Sequence, residues 1–291
     1  MQNTSNINLN DETFCKIRDL IYQLTGIFYS EQKKYLIETR LSKRLSDLNL
    51  ANYEDYFYLL KYSAKQSDEI KELFNSITTN ETSFFRDVPQ LKVFEDDVLK
   101  DKILKQIKES PANYSKKIRI WSAGCSTGEE PFTLAIIIME HLNEIPDGFS
   151  FEIIGSDISE NVLSSAKQGI YSSYTLRNTE PKLIEKYFDK INNEQFQIRN
   201  NIKNMVSFYN INLINFDSIK KIGNFDIIFC RNVIIYFNND SKKVVISNLY
   251  DSLKKNGYLF LGHSESLHFI SSSFKLVGFG KTPLYIKESL I

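Results

Sequence analysis

The densest chemistry in the sequence lies in a turn, Ser122-Ala123-Gly124-Cys125-Ser126-Thr127-Gly128, followed at once by Glu129, Glu130 and Pro131. Gly124 and Gly128 permit tight backbone turns and close approach of a ligand. The spacing is not Gly-x-Gly-x-x-Gly, and no Gly-Lys-Ser/Thr follows, so it is not a P-loop. The two glutamates would repel a pyrophosphate, which argues against NAD or ATP and suits a cationic or hydroxyl-bearing ligand. A plainer use is open as well: glycines shaping a strand-to-helix turn, and glutamates complementing the positive end of a helix dipole. Asp157 closes the apolar run Phe151 to Gly155, where a carboxylate can accept from both hydroxyls of a ribose. It could equally cap a helix opening at Glu160. Turn and acid together favour a nucleoside without a pyrophosphate. S-adenosylmethionine answers that description: ribose, adenine, no phosphate and a sulfonium cation.

Two further stretches carry polar groups in telling places. Cys230-Arg231-Asn232-Val233-Ile234-Ile235-Tyr236-Phe237 closes another apolar run; a lone tyrosine such as Tyr236 there is more often a core residue than a catalyst. Thr79-Asn80-Glu81-Thr82-Ser83-Phe84-Phe85-Arg86 is polar, then aromatic, then basic. As a linker it would cap the next helix and pin two domains through its phenylalanines. The three histidines, His141, His263 and His268, show no metal-ligand spacing, so no metal is expected. His263, in Gly262-His263-Ser264-Glu265, is expected to be a satisfied structural histidine.

These residues need elements to position them. Phe14, Ile17, Leu20, Ile21 and Leu24 recur at helical spacing and stop at Gly26. Ile37, Leu41, Leu45 and Leu48, then Tyr53, Phe57 and Leu60, then Ile70, Leu73, Phe74 and Ile77 mark three more helices. Residues 1–88 therefore read as an all-α domain and 89–116 as a connecting helix. From Lys117 the pattern alternates strand and helix, with strands near 117–121, 151–155, 206–211, 225–230 and 257–261. Phe274 to Lys287 reads as a hairpin turning at Gly278-Phe279-Gly280-Lys281. Such alternation implies a parallel sheet with right-handed crossovers, here over 117–291.

Composition sets the outer bounds. The chain has 291 residues, about two domains' worth, and 42% hydrophobic with 25% charged residues is globular rather than disordered. Lys+Arg and Asp+Glu are both 36, and a net charge of zero argues against a dedicated nucleic-acid binder. Cys15, Cys125 and Cys230 make no disulfide scaffold and fit a reducing cytoplasm. The polar N-terminus is no signal peptide, and no apolar run is long enough to span a bilayer, so membrane insertion is not expected.

The ordered set Asn-Glu-Thr-Ser-Phe-Phe-Arg (80–86), Trp-Ser-Ala-Gly-Cys-Ser-Thr-Gly-Glu-Glu-Pro (121–131), Gly-Ser-Asp-Ile (155–158), Cys-Arg-Asn-Val-Ile-Ile-Tyr-Phe (230–237) and Gly-His-Ser-Glu (262–265) resembles the signatures of the CheR family, the chemotaxis-receptor glutamate methyltransferases. The likeness runs through essentially the whole chain. It implies an α/β Rossmann-like class I domain dependent on S-adenosylmethionine (SAM), with a small β-subdomain inserted at 171–210, behind an all-α N-terminal domain. It further implies methylation of glutamates on cytoplasmic receptor helices. By position, Asn80, Thr82, Arg86, Gly124, Glu130, Asp157, Asn212, Leu213, Asn232 and Val233 match cofactor contacts, and Arg86 and Tyr236 lie closest to the reacting centre.

A glutamate carboxylate has a reference pKa of about 4.3, so it is already the nucleophile at neutral pH and needs no base. Positioning carries the reaction. Lys33, Arg40 and Arg44 fall within about 40° on a helix, with Lys43 nearby; the resemblance makes this basic face a receptor contact, although charged faces are often merely solvated. Some family members grip a receptor tether through a glycine-containing extension of the insert. Asp189 to Phe196 is short and lacks glycine, so tether-independent methylation is expected. A monomer is the default. The competing readings are a non-enzymatic module that binds SAM or its product, and a nucleic-acid methyltransferase. Against the latter, Arg231-Asn232-Val233-Ile234 stands where an Asn/Asp-Pro-Pro-Tyr would be needed.

Overall fold

The structure is a computed structural model and describes residues 7–64, 66–109, 116–279 and 282–288. Four helices open the chain: α1 (Asp11–Thr25), α2 (Lys34–Asp47), α3 (Tyr53–Tyr62) and α4 (Gln66–Ile77). Each boundary has a local cause. The Asn10 and Asn52 side chains accept from Thr13 N–H and Asp55 N–H at the first turns of α1 and α3. Gly26, at φ 73°, ends α1 by donating to the Tyr22 carbonyl. The periodic residues Phe14, Ile17, Ile37, Leu41, Leu45, Tyr56, Leu60 and Leu73 form one core.

A connector follows as α5 (Val88–Lys92), a π-helical stretch (Val93–Leu104) and α6 (Lys105–Glu109). The end of the expected 89–116 helix, residues 110–115, lies outside the described residues. Phe94 of the connector packs edge-on against Phe229 and Phe260, at 5.3 and 6.2 Å, so the connector covers one face of the sheet.

The strands are β1 (Lys117–Ala123), β2 (Ser150–Asp157), β3 (Ile170–Ser172), β4 (Phe188–Lys190), β5 (Gln195–Ile198), β6 (Val206–Asn210), β7 (Phe225–Cys230), β8 (Leu253–Leu261), β9 (Lys275–Phe279) and β10 (Thr282–Ile286). Seven of them form a sheet in the order β6-β2-β1-β7-β8-β10-β9. The pairs β1–β2, β1–β7, β2–β6 and β7–β8 are parallel; β10 runs antiparallel to β8 and β9. Helices α7 (Glu129–Glu140), α8 (Glu160–Gln168), α9 (Pro181–Tyr187), α10 (Asn200–Lys203), α11 (Phe216–Lys220) and α12 (Asn239–Ser252) fill the connections. Two apolar layers flank the sheet, one around Phe132, Phe229 and Phe260, the other around Trp121, Val245 and Leu249. Both faces are buried, so these strands read as continuous apolar runs rather than alternating ones.

The small sheet β3-β5-β4 is antiparallel and spans 170–198. It ends earlier than the 171–210 expected of the insert, because Val206–Asn210 pairs with β2 in the main sheet. The hairpin at the far edge is present as β9 and β10; its turn residues Gly280 and Lys281 lie outside the described residues. Strand β1 stands between β2 and β7, so the connection after it crosses to one side and the chain later returns to the other. A ligand crevice belongs outside the carboxyl ends of strands that part in this way.

Candidate active site

A cleft of about 1320 Å³, including its open mouth, lies at that place. Asn80, Thr82, Arg86, Gly124, Glu130, Asp157, Asn212, Leu213, Asn232, Val233 and Tyr236 all line it. They arrive from five segments: the linker before α5, the turns after β1, β2 and β6, and the loop after β7. Thr25, Ile27, Ile77, Thr78 and Thr79 of the helical domain complete the wall.

The turn after β1 is built around the end of β2. Gly124 (φ 75°) and Cys125 both donate their N–H groups to the Ser156 carbonyl at 2.8 Å. A Cβ on Gly124 would stand 2.5 Å from Val233 Cγ2, so this turn and the loop after β7 touch only because the residue is glycine. Asp157 is 8% exposed. Its Oδ2 accepts from Ser126 N–H at 2.9 Å and its Oδ1 from Ser159 N–H at 3.1 Å. The N-cap of α8 is Ser159, which accepts from Val162 N–H, so capping is not the use of Asp157. Burial pushes the Asp157 carboxyl up and the backbone N–H groups partly offset this.

The two glutamates diverge. Glu129 is buried against the insert side, accepts from Thr127 Oγ1 at 2.7 Å, and burial pushes it up to about 7. Glu130 faces the cleft, its Oε1 accepting from Ser122 Oγ at 2.7 Å and its Oε2 from Arg231 Nη1 at 3.1 Å. A carboxyl whose folded pKa is raised contributes stability at low pH and loses it as pH rises through the folded value. The Glu129 contribution should therefore fall by about 3 kcal/mol as pH rises from about 4.5 to 7. Glu129→Gln should flatten that slope in denaturant titrations; an unchanged slope would place the proton uptake elsewhere.

The linker forms one wall of the cleft and is tied down along its length. The Asn80 carbonyl accepts from Ser126 Oγ at 3.1 Å. Phe84 is fully buried, donates its N–H to the Thr175 carbonyl, and packs edge-on against Tyr171 and Phe188 at 4.8 and 5.1 Å. It thus anchors the linker to the small sheet. Phe85 N–H donates to Thr133 Oγ1 at 3.1 Å. The Arg86 side chain makes one hydrogen bond among the described residues, Nη1 to the Glu81 carbonyl at 3.0 Å.

On the opposite wall, the Asn212 amide donates to the Leu24 carbonyl of α1 at 2.7 Å, so its side chain is spent on the domain junction. The loop after β7 enters through Asn232 at φ 58°. Its shape is set by Glu265, which is 5% exposed. Glu265 Oε2 accepts from the N–H groups of Asn232 (2.8 Å) and Gly262 (2.6 Å), and Oε1 from those of Val233 (3.0 Å) and Ile235 (3.2 Å). Within Gly262-His263-Ser264-Glu265 the structural residue is therefore Glu265; His263, expected in that role, is exposed. Tyr236 ends a short turn (Ile234–Tyr236), and its carbonyl accepts from Phe28 N–H at 3.0 Å, beside an Ile27–Phe237 β-bridge.

Arg231 and Glu265 were not nominated from sequence. Both place a charge beside a buried strand end, where an unpaired charge is costly, and that is the signal that could have found them.

The basic face expected on α2 is mostly committed elsewhere. Arg40 Nη1 donates to Tyr29 Oη and to the Ile77 carbonyl, and its Nη2 to Thr79 Oγ1 at 2.6 Å. It braces the end of α4 and the start of the linker. Arg44 grips the buried Glu69 through Nε (3.0 Å) and Nη2 (2.6 Å), with Tyr56 Oη donating to the same carboxylate at 2.8 Å. Only Lys33 and Lys43 of the four are exposed. The helical periodicity was right, but buried acceptors on α4 claim the two arginines.

Among the described residues no cluster of ligating side chains could hold a metal ion, and no helix is long and apolar enough to cross a membrane. The lining fits SAM. A buried strand-end carboxylate suits a ribose, Glu130 and Asp157 suit a ligand bearing cations, Arg86 suits a carboxylate, and no lysine for binding phosphate is among the lining residues.

Residues 80–282 match the family described as CheR methyltransferase, SAM binding domain, and residues 12–78 match the CheR methyltransferase all-alpha domain. The chain is similar to Chemotaxis protein methyltransferase 2 of Vibrio cholerae, 37% identical over 281 residues covering 97% of this chain and 94% of that one. It is similar to the Chemotaxis protein methyltransferase of Borreliella burgdorferi, 38% identical over 265 residues covering 90% of each chain. The corresponding Escherichia coli protein is 33% identical over 281 residues, covering 96% of this chain and 92% of its own. Matched in both domains, the chain is a SAM-dependent methyltransferase and belongs to the CheR family.

Proposed function

We propose that this protein methylates glutamate γ-carboxylates on the cytoplasmic helices of chemoreceptors, acting in the cytoplasm as a monomer. The observation that carries this reading is a cleft whose lining includes Arg86, Arg231 and Tyr236 but no histidine or lysine, and whose carboxylates Glu130 and Asp157 are already engaged, the first by Ser122 and Arg231 and the second by the N–H groups of Ser126 and Ser159. A substrate amine, hydroxyl or thiol would have to lose a proton to a base; a carboxylate does not.

In this reading Asp157 holds the ribose hydroxyls, and Glu130 with Arg86 holds the charged amino-acid end of SAM. Thr82 and Asn80 close the linker side; the backbone of Asn212 and Leu213 and the Asn232-Val233 turn close the adenine side. When bound, SAM supplies a methyl group on a sulfonium, which makes it a good electrophile. Tyr236, at the mouth, lines the path by which a carboxylate oxygen enters. The fastened linker shields the cleft from water on its side, which favours a step that neutralises opposite charges.

Exposed Lys33 and Lys43 are the remaining basic candidates for contact with an acidic receptor helix. The β4–β5 hairpin is short, with Asn192 accepting from Glu194 and Gln195 N–H groups in a tight turn, which supports activity without a receptor tether.

The test is radiolabelled methyl transfer from SAM to receptor-containing membranes. A base-labile methyl ester on the receptor is expected, with an equal rate when a receptor C-terminal peptide is added in excess. Base-stable label would mean transfer to nitrogen, label in nucleic acid would favour that substrate class, and SAM binding without transfer would favour a sensor. Peptide inhibition would overturn tether independence alone.

A further inference from the structure

The linker that carries Arg86 is held in an unfavourable backbone path. Phe85 and Asp87, on either side of Arg86, have φ of 50° and 65°, a region that bulky and branched residues avoid. Such strain persists only where surrounding contacts over-determine it. Phe85 is fixed by its bond to Thr133, and the other fastening comes from across the cleft. Arg231 directs Nη2 to the Arg86 carbonyl at 2.7 Å and lies 3.6 Å from Asp87 Oδ2, while its Nη1 donates to Glu130 Oε2 at 3.1 Å. Its side chain is 3% exposed.

We propose that Arg231 is a positioning residue: a buried guanidinium fork that locks the linker peptide to the first turn of α7 and thereby aims Arg86 and Glu130 into the cleft. The planar fork is the right device because its two nitrogens serve two partners on two different elements. A lysine ammonium keeps the charge but cannot hold both directions at once. The cost of burying this charge is offset only because Glu130 and Asp87 flank it, so the lock forms as a unit or not at all. Arg231 thus acts on the ligand through Arg86 and Glu130. The inference concerns the cofactor end of the cleft and holds whichever methyl acceptor is used.

Binding of the product S-adenosylhomocysteine, measured by calorimetry, tests it without turnover. Arg231→Lys is expected to weaken binding on the order of 10- to 100-fold, the loss of about one hydrogen bond between a charged residue and the ligand. Arg86→Ala should weaken it comparably. The double variant should lose less than the product of the two single losses, because the part of the Arg231 effect that runs through Arg86 is already gone in Arg86→Ala while the part through Glu130 remains. Hydrogen exchange read by mass spectrometry should quicken over residues 81–87 in Arg231→Lys while β1, β2 and α12 stay protected. Arg231→Gln gives a second variant if lysine perturbs folding. Fold-losses that multiply in the double variant would overturn the proposal, as would unchanged linker exchange or quickened exchange throughout the domain.

Discussion

Asp157→Ala should raise the Kd for SAM by at least about 100-fold. The estimate follows from charge. A hydrogen bond to an ionised acceptor contributes about 1.5–3 kcal/mol, and a ribose offers two hydroxyls to one carboxylate. Losing both costs about 3–6 kcal/mol, and each 1.4 kcal/mol is tenfold in affinity. The buried Asp157 has little water to replace those bonds, and the N–H groups of Ser126 and Ser159 lose their acceptor together with the ligand. Calorimetry gives the Kd directly, and the thermal upshift that SAM confers should vanish in parallel. Because burial pushes the carboxyl up, wild-type affinity should begin to fail on acidification at a higher pH than an ordinary aspartate would give. A loss of less than tenfold in Asp157→Ala would reduce the residue to a fastener for its own turn.

The second large effect is expected at Glu265. Its carboxylate, on a residue 5% exposed, gathers four backbone N–H groups, and alanine leaves them without that acceptor. Each unsatisfied buried group costs about 1–3 kcal/mol before relaxation. A net destabilisation of about 3–5 kcal/mol is expected, at the top of the range for single substitutions. Glu265→Gln should recover little, since an amide must turn a donor toward two of the donors already there. The exposed neighbour is the control: His263→Ala should stay within about 0.5 kcal/mol. Denaturant unfolding of the three variants settles the comparison, and a Glu265→Ala protein as stable as His263→Ala would remove the loop's keystone. Where the variant remains folded, methyl transfer should fall as well, because Asn232, Val233 and Tyr236 all ride on that loop.

What could be read from sequence followed from how local each cause is. The boundaries of α1, α3 and α8 are set within a few residues by Asn10, Gly26, Asn52 and Ser159. The cleft was legible because four of the five motifs sit at strand ends, and a parallel sheet brings those ends together whatever the connections do. Partnership across long separations was not legible. Arg44 was expected on a basic helix face, yet its main partner, Glu69, lies 25 residues further on. Glu265 reaches back 33 residues to Asn232, and Arg231 reaches 145 residues to Arg86. The insert ended early for a related reason, since β6 belongs to the sheet through its pairing with β2 and not through anything in its own composition.

The junction between the domains carries one more consequence. Asn212 bonds to α1, Tyr22 and Asn238 bond to each other, Ile27 bridges to Phe237, and Phe28 bonds to Tyr236. The helical domain is therefore not a detachable adaptor that could be exchanged between enzymes to redirect them. It is a structural wall of the compartment it would be redirecting. Any chimera that keeps 117–291 and imports a foreign front half must also import compatible residues at 22–28 and 77–80.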